Sequence, residues 1–88
     1  MPSINSFAEI VHLSDAQIQV LLGEVEIWDL IAAVRDEEAK AVKDRLFSVM
    51  SPKVQAFAQE ELDVNKTSDP EKTRDAQLRM VSLANGLS

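Results

Sequence analysis

The sequence predicts an all-α fold, a compact bundle of six helices forming one domain over residues 1–88. Three observations predict it. Apolar residues recur at three- and four-residue spacing, the period of a helix with one buried stripe. Helix start signals stand ahead of five of the six apolar segments. No alternating run bounded by turn residues marks a strand, and glycine fills only 2 of 88 positions, too few for a loop-rich chain.

Each element has its own justification. Ser6-x-x-Glu9 has the form of a capping box and opens a short first helix, through about Val11. Ser14-x-x-Gln17 repeats the device. The second helix it opens carries Ile18, Leu21, Leu22 and Val25 on one stripe. Gly23 falls near its end, where a left-handed cap is expected. A third helix holds Ile27, Leu30, Ile31 and Val34. Asp36 caps a fourth, with Ala39, Val42, Leu46 and Val49 inward. Ser51-Pro52 pairs a side-chain cap with proline at the first helical position. The fifth helix then buries Val54, Phe57, Ala58 and Leu62. Asp69-Pro70 repeats the signal for a sixth helix with Leu78, Val81 and Ala84, ending before Gly86. Asn65-Lys66-Thr67-Ser68 reads as a polar loop. Short links between one-sided helices imply a mostly antiparallel bundle.

Composition narrows the chemistry. A chain of this size builds one modest core with no room for a deep substrate cavity. Without cysteine there is no disulfide and no thiolate site. One histidine, His12, leaves a zinc site only carboxylates to complete it, an uncommon ligand set. No stretch reaches membrane-span length, and Met1 to Ser6 lack the basic and apolar regions of a signal peptide. A cytoplasmic protein is the expectation. The net charge of −6 repels nucleic acid on average. Residues 1–34 hold five acids and no Lys or Arg, whereas residues 35–88 hold nine bases and ten acids. The first part is purely acidic; the second is an ordinary solvated surface or a charged docking surface.

No catalytic constellation emerges. Two glycines rule out a glycine-rich phosphate loop. His12 has no nucleophile context and reads as a structural helix-end residue. Glu37-Glu38 and Glu60-Glu61 are adjacent carboxylates, but helix neighbours point about 100° apart and do not converge on one atom. Glu37-Glu38 also suits the first turn of a helix, where acids complement the dipole. Trp28, the only tryptophan, is expected in the core, with a partly exposed interface anchor as the alternative. Phe57 is expected in the core between the fourth and sixth helices, so that Phe57→Ala would cost about 3–5 kcal/mol.

The fifth helix is the one element with more to say. At 100° per residue, Lys53, Ala56 and Glu60 share an exposed side, with Asp63 close to them. Glu61 falls angularly among the apolar residues. The row starts positive and finishes negative. It reads either as a solvated face or as a docking row.

The chain holds Phe7-Ala8-Glu9-Ile10-Val11-His12-Leu13, then Ile18-Gln19-Val20-Leu21-Leu22-Gly23-Glu24-Val25, then Leu46-Phe47-Ser48-Val49-Met50-Ser51. In order and spacing these resemble the C-terminal domain of the flagellar motor switch protein FliG, with best agreement from Phe7 to Leu62. The resemblance implies a six-helix domain on the rotor that meets the stator. It implies that charges of the fifth helix engage opposite charges on the cytoplasmic loop of the stator protein MotA, without a cofactor. Carried over residue by residue, the family's basic residue at the end of the third helix falls on Arg35. The basic residue after Met-Ser falls on Lys53, and the acidic pair before the closing leucine falls on Glu60 and Glu61. All keep their sign.

Three positions depart from the family pattern. Its arginine after the second-helix leucines is Gly23. Its arginine-bearing segment between the last two helices is replaced by residues 65–70, with Lys66 or Lys72 as the nearest bases. Its basic run at the end is replaced by Ala84-Asn85-Gly86-Leu87-Ser88. Two binding functions therefore compete. One is a rotor and switch component that docks the stator loop, at the cytoplasmic face of the flagellar basal body. The other is a stand-alone FliG-like helical adaptor for another protein, without a motor role. Both expect a protein partner, no nucleic acid, no membrane insertion, no cofactor and a monomeric domain. An acyl carrier would also be small, acidic and helical, but needs a serine in an Asp-Ser-Leu context that is absent here. An enzyme is the least favoured class.

Overall fold

A computed structural model describes residues 4–64 and 69–86. The described chain is all-α, with no strand. A 3-10 helix spans Phe7–His12, followed by α1 (Asp15–Glu24) and α2 (Ile27–Ala33). A 3-10 turn, Glu37–Ala39, runs directly into α3 (Lys40–Val49). The chain then forms α4 (Pro52–Val64) and α5 (Pro70–Asn85), the fifth and sixth helices of the sequence reading. The expected loop over Asn65 to Ser68 lies outside the described residues.

The start signals operate as chemistry requires. Gln17 N–H donates to Ser14 Oγ at 3.2 Å while Ser14 N–H donates to the Gln17 side-chain carbonyl at 2.9 Å, a complete capping box. Asp36 accepts from the Glu38 N–H at 3.1 Å. Ser51 accepts from Val54 at 3.4 Å ahead of Pro52. Asp69 accepts from Glu71 and Lys72 ahead of Pro70. At the first helix the Glu9 carboxylate takes the N–H groups of Asn5 and Ser6, at 2.6 and 2.9 Å. Those two donors hold its pKa below the ordinary value of 4.5. That first helix is 3-10 rather than α, as short connecting helices often are. His12 is its last residue and is exposed.

The main core gathers Ile10 and Leu13 near the start, Ile18 and Leu21 of α1, Leu30 and Ala33 of α2, Val42 and Leu46 of α3, and Ala76, Met80 and Ala84 of α5. A smaller cluster of Ile31, Phe47 and Ala58 seats α4, with Ile27, Met50 and Leu62 around it. Long-range polar contacts tie the ends together. Asn85 accepts from the Ile4 N–H at 2.7 Å and donates to the Ile4 carbonyl at 3.0 Å. Arg45 donates to the Leu13 carbonyl at 2.9 Å and pairs with Asp15 at 2.6 Å. Arg79 of α5 holds Asp29 of α2 with two hydrogen bonds, at 2.9 and 3.2 Å.

Four expectations need correction. Trp28 is not core: it is 59% exposed. It sits about 110° from the centre of the stripe of Ile27, Leu30, Ile31 and Val34. Phe57 is not core either; it is 41% exposed, and α4 buries only Ala58 fully. The small Ala58 lets α4 approach the α2–α3 cluster closely, which leaves Phe57 and Val54 on the flank. Phe57→Ala is therefore expected to cost about 1–2 kcal/mol in a urea melt, not the larger figure of a fully buried ring. The buried face of α5 is Thr73, Ala76, Met80 and Ala84, so Leu78 points outward and Val81 is half-buried. The small alanines again let α5 lie close along α2, and they set the phase. Finally, Gly23 is not a left-handed cap. It lies inside α1, no described residue has positive φ, and the helix closes on an extended Val25.

The space a Cβ at Gly23 would take is empty within 4 Å. The fold has no need for glycine there. Gly23→Ala should raise stability by about 0.5 kcal/mol, the lower end for a helical site because it lies near the helix end. Thermal melts of the two proteins check this directly.

Candidate partner-binding surface

The candidate surface is α4, and its position follows from how little of it is buried. Ala58 faces inward, flanked by half-buried Gln55, Gln59, Glu61 and Leu62. Lys53, Ala56, Glu60 and Asp63 are all exposed, as the helical phase predicts. Lys53 and Glu60 are two turns apart on one side, separated by about 10 Å along the axis. Neither forms an ion pair among the described residues. Glu61 is half-buried on the flank, one turn after Phe57.

These charges oppose the helix that carries them. A helix is stabilised by acids near its start and bases near its end. α4 has no acid in its first turn and no base in its last. It has Lys53 as its second residue and Glu60, Glu61 and Asp63 towards its end. The rule is followed only in part elsewhere: α5 has Glu71 and α1 has Asp15 in the first turn, but neither has a base in its last turn, α1 closes on Glu24, and α3, which starts on Lys40, has neither an early acid nor a late base.

Arg35 sits elsewhere. It follows α2 directly, is half-buried and lines a shallow groove with Lys40, Lys43, Gln59 and Asp63. A second groove joins it to Arg74 and Gln77 of α5. The row and Arg35 are thus brought together only through Asp63, which belongs to both. Among the family departures, Lys72 is exposed in the first turn of α5, while Lys66 lies outside the described residues.

The arrangement suits non-covalent recognition. No group of acids, histidines or cysteines among the described residues is placed to hold a metal ion. No described helix is long and apolar enough to cross a membrane. Sequence reading missed one surface feature, the edge-to-face contact between Trp28 and Phe57, with ring centroids 5.8 Å apart at 69°. Only the exposure of the rings had a sequence signal, since Phe57 lies about 75° and Trp28 about 110° off the centre of their helix's apolar stripe; the contact itself had none. The family model described as FliG C-terminal domain matches residues 2–88. No curated protein matches the sequence.

Proposed function

Because the chain belongs to the FliG C-terminal domain family, we propose that it is the stator-facing part of a flagellar rotor. The family is a structural component of the motor switch that works through protein–protein contact and is not an enzyme family. The proposed site is the α4 row, Lys53 with Glu60 and Glu61, assisted by Arg35. Its partner is the charged cytoplasmic loop of a MotA-like stator protein, met at the cytoplasmic face of the basal body. The observation that carries this reading is Lys53 with Glu60: opposite charges on one exposed side, unpaired among the described residues, and set against the helix dipole. Electrostatic complementarity of this kind gives fast encounter and partner choice more than raw affinity.

A second reading has its own support. The position where the family carries an arginine is Gly23, and the surrounding space is open. Packing therefore does not explain that loss, which favours a FliG-like adaptor that kept the fold and gave up part of the motor contact. One experiment separates the two. A peptide of the stator loop is titrated into the isotopically labelled domain. The rotor reading expects amide shifts confined to α4, centred on Lys53, Ala56 and Glu60. The adaptor reading expects none, and expects a deletion strain to swim normally.

A further inference from the structure

The flank of α4 that faces α1 and α2 is apolar and meets the charged row only at Glu61. Val54, 42% exposed, closes a shallow groove with Leu22 and Gly23 of α1 and with Val49 and Met50. One turn later on the same side, Phe57 meets Trp28 edge to face. At about 150–250 Å² per aromatic, their exposures of 59% and 41% leave roughly 200 Å² of ring surface open. Each ring is held by the other, so little side-chain freedom is left to lose on binding. The rim of this strip is acidic. Glu24 follows Gly23, Glu26 precedes the helix of Trp28, and Glu61 lies one turn beyond Phe57. None of the three forms an ion pair among the described residues, although Arg79 acts electrostatically on Glu26 as well as on Asp29. Asp29, beside Trp28, is already held by Arg79.

We propose that this strip is a docking groove for a basic amphipathic helix of a protein partner, with Trp28 and Phe57 as the aromatic anchors and Glu24, Glu26 and Glu61 as the matching charges. The mode is helix-in-groove, in which apolar side chains three and four residues apart enter successive pockets. Charge decides the occupant. A second copy of this chain would set the same acidic rim against itself across a two-fold axis, and a membrane rich in anionic lipid would be repelled. A helix with lysines flanking a leucine stripe meets opposite charge on the rim and apolar surface at its centre. Tryptophan anchors of this kind dominate the energy of interfaces where they occur. The proposal does not rest on the flagellar reading: of the α4 row it shares only Glu61, and its anchors and its test use Trp28, Phe57, Glu24 and Glu26.

Trp28 is the only tryptophan, so its fluorescence reports on the groove alone. The probe is a 16-residue synthetic peptide with leucines at helical spacing and lysines beside them. A scrambled peptide of the same composition and a version with glutamates for the lysines are the controls. The leucine–lysine helix should shift Trp28 emission to the blue and saturate, and the two controls should not. Phe57→Ala should weaken it about tenfold or more. The exposed double change Glu24→Lys with Glu26→Lys, which leaves the packing intact, should weaken it several-fold. Lys53→Glu should not weaken it, since it removes a base beside Val54 and adds an acid. Binding should persist in part at 1 M salt, because the anchors are apolar. An equal response to the scrambled peptide, or no response to any, overturns the proposal. A blue shift that grows with protein concentration alone, with a dimer in sedimentation, makes a second copy the occupant and also overturns it.

Discussion

Leu46→Ala is expected to remove about 2–5 kcal/mol of stability, the cost of deleting buried methyl groups and leaving a cavity. Leu46 has no solvent exposure and stands in α3, amid the main core. Its neighbours have little freedom to close the gap. α3 is pinned to the start of the chain by Arg45, which holds both the Leu13 carbonyl and Asp15. A chain of 88 residues commands only roughly 4–13 kcal/mol in total, so this one change takes a large share. Leu78→Ala provides the contrast. Its side chain is 58% exposed, and its loss should stay within about 0.5 kcal/mol. Urea melts followed by helical circular dichroism read both values. Near-equal losses would mean that α3 and α5 do not present the faces described.

That pair of leucines shows where sequence reading succeeds and where it stops. Leu46 belongs to a stripe whose residues are all buried or half-buried, and its period alone identified it. Leu78 also fits a three-residue period with Val81 and Ala84, yet the face that packs is Thr73, Ala76, Met80 and Ala84. Periodicity tells which residues share a side. It does not tell how closely the neighbouring helix approaches. Here small residues, Ala76 on α5 and Ala58 on α4, mark the closest approach and draw the helices in. The larger Phe57 and Leu78 are then displaced to the flanks. The caps were legible for the opposite reason: Ser14 with Gln17, Asp36, Ser51 with Pro52 and Asp69 with Pro70 act within a few residues, and nothing distant overrides them. The charged row was equally legible, because exposure of Lys53, Glu60 and Asp63 follows from their being opposite Ala58. What sequence could not supply was the separation of Arg35 from that row, since it depends on how the α2–α3 link folds beside α4. Nor could it reveal the Trp28–Phe57 contact between two helices remote in sequence.

Reversing the α4 charges is expected to move stability and binding in opposite directions. Lys53→Glu places an acid in the first turn of α4, where the dipole favours it by about 0.3–1 kcal/mol. Glu60→Lys with Glu61→Lys places bases near its end, with a gain of similar sign. Exposed ion pairs contribute only about 0–1 kcal/mol, and Lys53 and Glu60 have none to lose. Each variant should therefore melt at the same temperature as the parent or slightly above it. Binding to a charged stator loop should behave otherwise. Lys53 and Glu60 are about 10 Å apart, close to the Debye length of about 10 Å at 0.1 M salt. At lower salt a partner senses both ends of the row together; at 1 M salt the length falls to about 3 Å and the contact should largely vanish. Either reversal should weaken the loop at least tenfold at low salt, and reversing the loop's charges should restore part of the loss. In cells the same variants should express normally and fail to swim. Unchanged binding and motility, with the expected gain in melting temperature, would reduce the row to a solvated face and leave the adaptor reading as the account of this domain.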